Sequence, residues 1–364
     1  MTNFTYNIQP RKLKNRTVYD VFFYEEMPDG SLKHKRLSGF PSKTAARDGY
    51  SNYMANTISR IKLEKDKRHV MYEDAQRVYF DHCLRMLKES SVYDFKHIAV
   101  KYSDVFFRRK NLAALTKKDI VAYQDWLWSL KRPDGELYSQ KYLVKIYHQF
   151  TAFYRWCMQR YEIPDVLAGV SLPVRKTQQA EYQIWTKEEF YKFIDCVKYD
   201  KYKALFTLLF YSGVRIGEAQ ALKVSDYNGK DIYVHATYSK KTLDGSAYKI
   251  TSTKNYKTRH VPLPKACIEV LDEWVKDRPK DEFLFGKTPP AANPIRNALD
   301  RHSAQAGVKR LKIHEFRHTY VSMVHDNGAS LVTTAALIGD TPEQVAKTYA
   351  HVFKESVEKI ISTL

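Results

Sequence analysis

The stretch Tyr211-Ser212-Gly213-Val214-Arg215-Ile216-Gly217-Glu218-Ala219-Gln220-Ala221-Leu222 puts an arginine where two apolar segments meet. The run Ala204–Tyr211 reads as an apolar helix that ends at Ser212-Gly213. Arg215 then opens a second helix, with Ala219 and Leu222 facing inward. A charge between two such segments is expensive unless it is paired or functional. The guanidinium of Arg215 offers a planar donor fork that suits two phosphate oxygens. Glu218, one helical turn later, can orient or neutralise it. Taken alone, this stretch is better accounted for by a plain surface pair of Arg215 with Glu218.

Three later stretches bear on the choice. In Thr251-Ser-Thr-Lys254-Asn-Tyr-Lys-Thr-Arg259-His-Val-Pro-Leu263, two short strands, Tyr248–Thr253 and Arg259–Leu263, flank Lys254. This reads as a hairpin with a lysine at its tip, where a flexible ammonium can give a proton to a leaving group. In Ile313-His314-Glu-Phe-Arg317-His318-Thr319, His314 and Arg317 are i and i+3 and share a helix face. His314 and His318 have the spacing of a metal pair, but no third ligand is evident. In Ile338-Gly-Asp340-Thr341-Pro-Glu-Gln344-Val-Ala-Lys-Thr-Tyr349-Ala-His-Val352, Thr341 as N-cap, Pro342 at the first helical position and Gln344 as the partner of a capping box start a helix. Tyr349 falls in its third turn. The chain has 27 tyrosines, so a tyrosine alone is ordinarily structural.

Composition narrows the class. The 364 residues include 60 Lys+Arg against 41 Asp+Glu, a net charge of +19. Divided at residues 70 and 170, all three segments are basic, so no single tail carries the excess. A polyanionic partner such as nucleic acid fits this spread better than a solvated lysine-rich surface does. Cys83, Cys157, Cys196 and Cys267 are scattered, with no Cys-x-x-Cys or Cys/His cluster. Cys157 and Cys267 sit in apolar helical patterns and read as core residues. That pattern suits a reducing compartment and argues against structural zinc. No apolar run resembles a signal peptide or a membrane span, so a cytoplasmic protein without a membrane partner is expected.

The chain divides by pattern. Residues 1–62 read as a small α/β module. Thr17–Tyr24 is a strand, Pro28-Asp29-Gly30 a turn and Leu32–Leu37 a Lys/Arg-studded second strand. Ser42 caps a helix running to about Ile61. The basic strand face can enter a DNA groove. Residues 63–170 read as all-helical. Thr116-x-x-Asp119 opens one helix, with Val121, Trp126 and Leu130 as its apolar residues. Ser139 begins a longer one to about Tyr161, with Leu143, Ile146, Tyr147, Phe150, Phe153, Tyr154 and Cys157 at helical spacing. Lys141 and Lys145 on that helix form a candidate phosphate-facing stripe, or simply a solvated face. Residues 171–184 are polar, include Pro173 and read as a linker. Thr186-x-x-Glu189 is a capping box that opens the last domain, 185–364.

The four stretches, in this order and spacing, resemble the catalytic domain of the tyrosine recombinase (phage integrase) family. Ser-Gly-x-Arg-x-x-Glu matches that family's first arginine motif, Lys254 its hairpin lysine, His-x-x-Arg-His-Thr its second arginine motif and Gly339–Val352 its nucleophile motif. Residues 63–170 look like the family's helical core-binding domain. Residues 1–62 look like the arm-binding domain of integrases from phages and conjugative transposons of Gram-positive bacteria. The fold expected is therefore multi-domain: a small α/β arm-binding domain, an all-α core-binding domain and a mainly α catalytic domain with a small β-sheet.

The resemblance implies a site-specific recombinase. Arg215, Arg317 and His314 would bind one phosphate, Tyr349 would attack it to form a 3′-phosphotyrosyl bond, and Lys254 would protonate the leaving 5′ oxygen. Neither a cofactor, ATP nor a metal ion is implied. The partners implied are double-stranded attachment-site DNA, three further copies in a synaptic tetramer, and an excision factor or a host DNA-bending protein as accessories. The apolar stripe Phe353, Val357, Ile360, Ile361 and Leu364 could dock on a neighbouring subunit or pack on its own domain. One position departs: the family usually has His or Trp after the glycine, and this chain has Asp340. An ionised carboxylate cannot donate to a phosphate and repels it, so Asp340 is expected to hold His314 or a lysine, or to keep its proton. Rival readings are a type IB topoisomerase, a Xer-type resolvase, and a DNA-binding protein with catalysis damaged at Asp340.

Overall fold

The computed structural model describes residues 6–13, 16–26, 32–67, 69–174, 182–253 and 257–349, with the side chains of 57–67 left aside. The Pro28–Gly30 turn, Lys254 and the stripe from Phe353 to Leu364 lie outside the described residues. The chain separates into two compact units. One takes residues up to Leu87 together with Phe95–Val174, the other Lys88–Asp94 with the chain from Arg175 onward.

The N-terminal unit begins with a three-stranded antiparallel sheet in the order β1-β2-β3, from β1 (Tyr6–Lys12), β2 (Thr17–Glu26) and β3 (Leu32–Phe40). Helix α1 (Lys43–Lys67) packs on it through Ala46 and Tyr50 against Val21 and Phe23. Ser42 caps α1, its Oγ accepting from the Ala45 amide at 3.0 Å. A register shift between Tyr19 and Val21 turns Asp20 as well as Val21 inward. The buried Asp20 carboxylate is satisfied by Arg11 Nε and the Gly39 amide, both at 2.9 Å, and by Arg36. β1 leaves no strand signal in the sequence, because Pro10 and a mostly exposed burial pattern disguise an edge strand.

Five helices follow: α2 (Tyr72–Met86), α3 (Glu89–Ile98), α4 (Asp104–Phe107), α5 (Lys117–Ser129) and α6 (Gln140–Tyr161). All seven apolar residues assigned to α6 are buried. Phe150 stacks on Phe107 with ring centroids 4.2 Å apart, locking α6 to α4. On α5 the capping box at Thr116 and Asp119 forms, but the buried stripe is Ile120, Tyr123, Gln124 and Leu127. Val121 is exposed, and Trp126 and Leu130 are only half-buried, because Tyr123 and Gln124 fill the inward face that a strictly apolar count misplaces. Lys141 and Lys145 are exposed on α6.

The C-terminal unit is built around α8 (Asp200–Ser212), buried without a break from Ala204 to Ser212. A helix apolar all round belongs at the centre of a core. Packed near it are α7 (Lys187–Cys196), α9 (Ile216–Ala221), α10 (Lys265–Val275) and α12 (Glu315–Asp326). The Thr186 and Glu189 box caps α7 as read, and Cys267 is buried. Helices α11 (Ala292–Gln305), α13 (Leu331–Ile338) and α14 (342–349) also belong to the unit.

Its strands correct one expectation. The sequence reading pairs the strands flanking Lys254 with each other. Instead β6 (Lys249–Ser252) pairs with β5 (Ala236–Ser239), and β7 (Arg259–Pro262) pairs with β4 (Asp231–Val234). Only His235 separates β4 from β5, so the returning limb finds partners along its whole length, and the hairpin tip is the 240–248 loop. Lys254 falls in the interval between β6 and β7, which Thr253 Oγ1 spans by donating to the Lys257 carbonyl at 2.6 Å.

Candidate active site

Two glycines set the backbone around the site. Gly213 ends α8 in the left-handed region at φ 60°, and a Cβ there would lie 2.4 Å from the Tyr320 ring. Gly339 ends α13 at φ 69°, with its Cβ position 2.7 Å from the Arg259 guanidinium. Both are turns that L side chains rarely adopt, and both deliver charged residues to one place: Arg215 two residues after Gly213, Asp340 directly after Gly339.

Arg215 is the N-cap of α9. Its amide donates to Glu218 Oε2 at 3.1 Å and its Nη1 to Glu218 Oε1 at 3.0 Å. Glu218 is buried and also accepts from Arg259 Nη2 at 2.7 Å. Arg259 in turn donates through Nε to the Leu337 carbonyl at 3.1 Å. Burial pushes the Glu218 carboxyl up, but the hydrogen bond and charge of Arg259, with the charge of Arg215, outweigh it and hold the pKa below the ordinary 4.5. Glu218 thus remains an anion that fixes two guanidinium groups.

Arg317 stands in the first turn of α12 and is 3% exposed. Its Nη1 donates to the Gly213 carbonyl at 3.0 Å and to the Ile338 carbonyl at 2.8 Å. Those carbonyls come from the ends of α8 and α13, so the guanidinium also satisfies helix C-termini. Its Nη2 reaches Asp340 Oδ2 at 2.5 Å. Asp340 accepts from Arg215 Nη2 as well, at 2.8 Å to Oδ1 and 2.9 Å to Oδ2. The carboxylate therefore lies between the two forks. Among the described residues its hydrogen-bond partners are these two guanidinium groups, rather than the expected His314 or lysine.

His314 is the N-cap of α12 and its outer edge is solvent-exposed. Desolvation of its inner face, then the charges of Arg317 and Arg215, lower its pKa from 6.5, so it is a neutral imidazole at neutral pH. Tyr349, on α14, is 4% exposed. Burial pushes its phenol up to about 12, against the opposing charges of Arg317 and Arg215. At the start of α14 the Gln344 amide donates to Thr341 Oγ1 at 3.3 Å, but the Gln344 side chain turns to Thr348 Oγ1 at 3.1 Å. Thr341 is thus the cap, and the reciprocal half of the expected capping box is replaced by a contact along the helix.

The structure brings together Arg215, Glu218, Arg317 and Asp340, with His314 at the rim and Tyr349 against α12. Lys254 lies outside the described residues. Two further residues belong here. Arg259 shares the inward face of β7 with the buried Val261; a charge on the core side of a two-residue alternation signals a buried partner. His318 Nδ1 lies 2.8 Å from Tyr349 Oη. From sequence, His318 stands out as half of a metal pair and as part of the His-x-x-Arg-His-Thr motif, with no signal of a contact to Tyr349. Among the described residues no three His, Cys, Asp or Glu side chains come together as metal ligands.

This arrangement presents two guanidinium groups to a single anion within the same unit as a buried tyrosine. Residues 184–356 match the model of the phage integrase family. The chain is 28% identical to a XerC-like tyrosine recombinase of Caldanaerobacter subterraneus over 92% of this chain and 92% of that one. It is 21% identical to the ICEBs1 integrase of Bacillus subtilis over 81% of this chain and 84% of the relative. A Tn1549 transposon integrase, solved in complex with a circular intermediate DNA, shares the fold with a TM-score of 0.64 at 16% identity, over 78% of this chain and 98% of that one. No described helix is long and apolar enough to cross a membrane. The chain is a tyrosine recombinase that resembles the integrases of phages and conjugative transposons.

Proposed function

We propose that this site-specific recombinase integrates and excises a mobile element, with Tyr349 as nucleophile and the Arg215–Arg317 pair as the cradle for the scissile phosphate. The observation that carries this is the carboxylate of Asp340 seated between both guanidinium forks at 2.5–2.9 Å. A carboxylate presents two oxygens as a phosphodiester presents its two non-bridging oxygens, so the seat has the shape and charge a phosphate needs. Asp340 then stands in for the phosphate in the free protein and swings aside when DNA arrives.

In this mechanism Arg215 and Arg317 bind the two non-bridging oxygens and stabilise the charge that grows on them. Glu218 and Arg259 hold Arg215 against the pull of the incoming anion. Neutral His314 donates one further hydrogen bond from the rim. Tyr349 attacks in line, the P–O5′ bond breaks, and Lys254 gives the departing 5′ oxygen its proton. The 5′-hydroxyl of a partner strand reverses the step. The phosphotyrosyl ester conserves the bond energy, so the reading calls for no ATP, and the guanidinium groups supply the positive charge.

The same reading gives residues 1–62 the arm sites and residues 63–170 the core site, with Lys141 and Lys145 among the phosphate contacts. It has four copies assemble on paired DNA sites in the cytoplasm. Supporting it are the basic excess in every segment of the chain and the resemblance of both N-terminal segments. A two-site plasmid carrying the element's own attachment sequences provides the test. Recombinant circles that vanish with Arg215→Ala and Arg317→Ala support the proposal. Site-independent relaxation of the plasmid would favour a topoisomerase. Tight site binding with no strand exchange would favour a DNA-binding protein disabled by the Asp340 clamp.

A further inference from the structure

We infer that His318 is the proton acceptor for Tyr349, a second imidazole in the site distinct in role from His314. The inference rests on Tyr349 being the nucleophile and deepens that reading. The nucleophile of a phosphoryl transfer must lose its proton as the new bond forms. Tyr349 is buried and its phenol is held neutral well above physiological pH, so burial works against losing the proton directly to water. Among the described residues, His318 Nδ1 stands in direct reach of it, at 2.8 Å from the phenol oxygen.

The placement has a physical cause. His314, Arg317 and His318 are i, i+3 and i+4 on one face of α12, so a single helix presents a rim imidazole, a phosphate fork and a buried imidazole in fixed order. His318 is 4% exposed and its ring is clamped. Tyr182 stacks on it with centroids 3.9 Å apart and planes inclined by 26°. The His314 ring meets it edge-on at 5.1 Å, and the Tyr349 ring at 5.2 Å. Rings on three sides hold the imidazole with Nδ1 toward the phenol. A general base must be within hydrogen-bond reach of its proton, and this one already is.

The step balances. The step requires His318 Nδ1 to enter unprotonated, so that the Tyr349 phenol donates to it. As the Tyr349 oxygen bonds to phosphorus and the P–O5′ bond breaks, the phenol proton passes to Nδ1 and the leaving oxygen takes a proton from the acid, assigned to Lys254. In the return step the His318 imidazolium gives the proton back to the tyrosine oxygen as the ester opens.

The test uses the full-length protein and a nicked duplex carrying the attachment site. Single-turnover formation of the covalent complex is measured beside the Kd for the same DNA. His318→Phe keeps a ring against Tyr182 but cannot take a proton; His318→Gln can hydrogen-bond but is no base; His318→Ala leaves a hole. All three are expected to lose at least ~100-fold in cleavage rate with Kd within about twofold. Added imidazole should restore His318→Ala, and substituted imidazoles should do so in order of their basicity. Tyrosine-selective ¹³C NMR, with the Tyr349 signal identified from Tyr349→Phe, should show that signal move in His318→Phe. Cleavage by His318→Gln or His318→Phe at or above the wild-type rate overturns the proposal, the latter marking the contact as a latch. So does an unmoved Tyr349 signal. A wild type that makes no phosphotyrosine yet shows the shift would leave the hydrogen bond standing. It would overturn the catalytic role together with the recombinase reading beneath it.

Discussion

Replacing Asp340 with asparagine separates a carboxylate that stands in for phosphate from one that merely braces the arginines. The carboxylate receives three charge-assisted contacts, at 2.8 and 2.9 Å from Arg215 and at 2.5 Å from Arg317. Such hydrogen bonds are worth about 1.5–3 kcal/mol when buried. Here the side chains of Arg215 and Asp340 are 26% and 21% exposed, and water can replace part of what is lost. That reduces the cost of the substitution to ~1–2 kcal/mol, or about 2–8 °C in Tm for a unit of this size. On the other side, a carboxylate ~5 Å from an incoming phosphate opposes it by ~3 kcal/mol at an effective dielectric of ~20. Half of that, roughly 1.5 kcal/mol, is a little over tenfold in Kd. Asp340→Asn should therefore melt earlier without anions, gain more from added sulfate than wild type does, and bind attachment-site DNA about tenfold more tightly at fixed salt. Thermal melts with and without sulfate and fluorescence anisotropy read these directly. A variant with wild-type melting whose DNA affinity is unchanged or weaker would refute the reasoning.

The buried Glu218 makes stability depend on pH. Its folded pKa lies below the ordinary 4.5, so its contribution is present above about that value and is lost as pH falls through the folded pKa. Glu218→Gln should cost ~3 kcal/mol near pH 7, leaving Arg259 without its anion and Arg215 with Asp340 alone, and its deficit in denaturant unfolding should shrink in acid; a deficit that stays constant with pH contradicts the assignment. For Tyr349 the sign is opposite. A phenol raised to about 12 stabilises the fold below its ordinary pKa of 10.0, and that contribution is lost as pH rises through 12. Alkaline difference absorbance should show one late-ionising phenol disappear in Tyr349→Phe. Gly339→Ala forces a left-handed alanine, costing ~1–2 kcal/mol, and drives a methyl into Arg259. It should reduce strand cleavage far more than DNA affinity, and equal losses in both would speak against a local effect.

What the sequence revealed tracks the range of the interactions. Helix α6 was legible because seven apolar residues repeat at its own period, and α7 and α9 because their caps lie within one turn. The approach of Arg215, Arg317 and Tyr349 could be expected only from resemblance, since nothing local joins them. The contact of Arg215 with Asp340 spans 125 positions and that of Arg259 with Glu218 spans 41. The same distance hid the role of Asp340, whose nearest cations in sequence are not its partners in space. His318 was visible as a residue on the face of Arg317 but not as a neighbour of Tyr349, which a separate helix delivers. The strand pairing around Lys254 was misread because proximity in sequence favours a tight hairpin, whereas β4 and β5 offered the returning limb a longer partner.

The measurement that bears hardest on this account is the chemical identity of the protein–DNA bond. Wild-type protein and Tyr349→Phe are mixed in EDTA with a nicked duplex carrying the attachment site, denatured in SDS, and the DNA-bearing peptide is sequenced by mass spectrometry. The account predicts an SDS-resistant complex from the wild type alone, with the phosphate on Tyr349. A complex that survives Tyr349→Phe, a phosphate mapped to another residue, or firm site-specific binding with no covalent complex would contradict it.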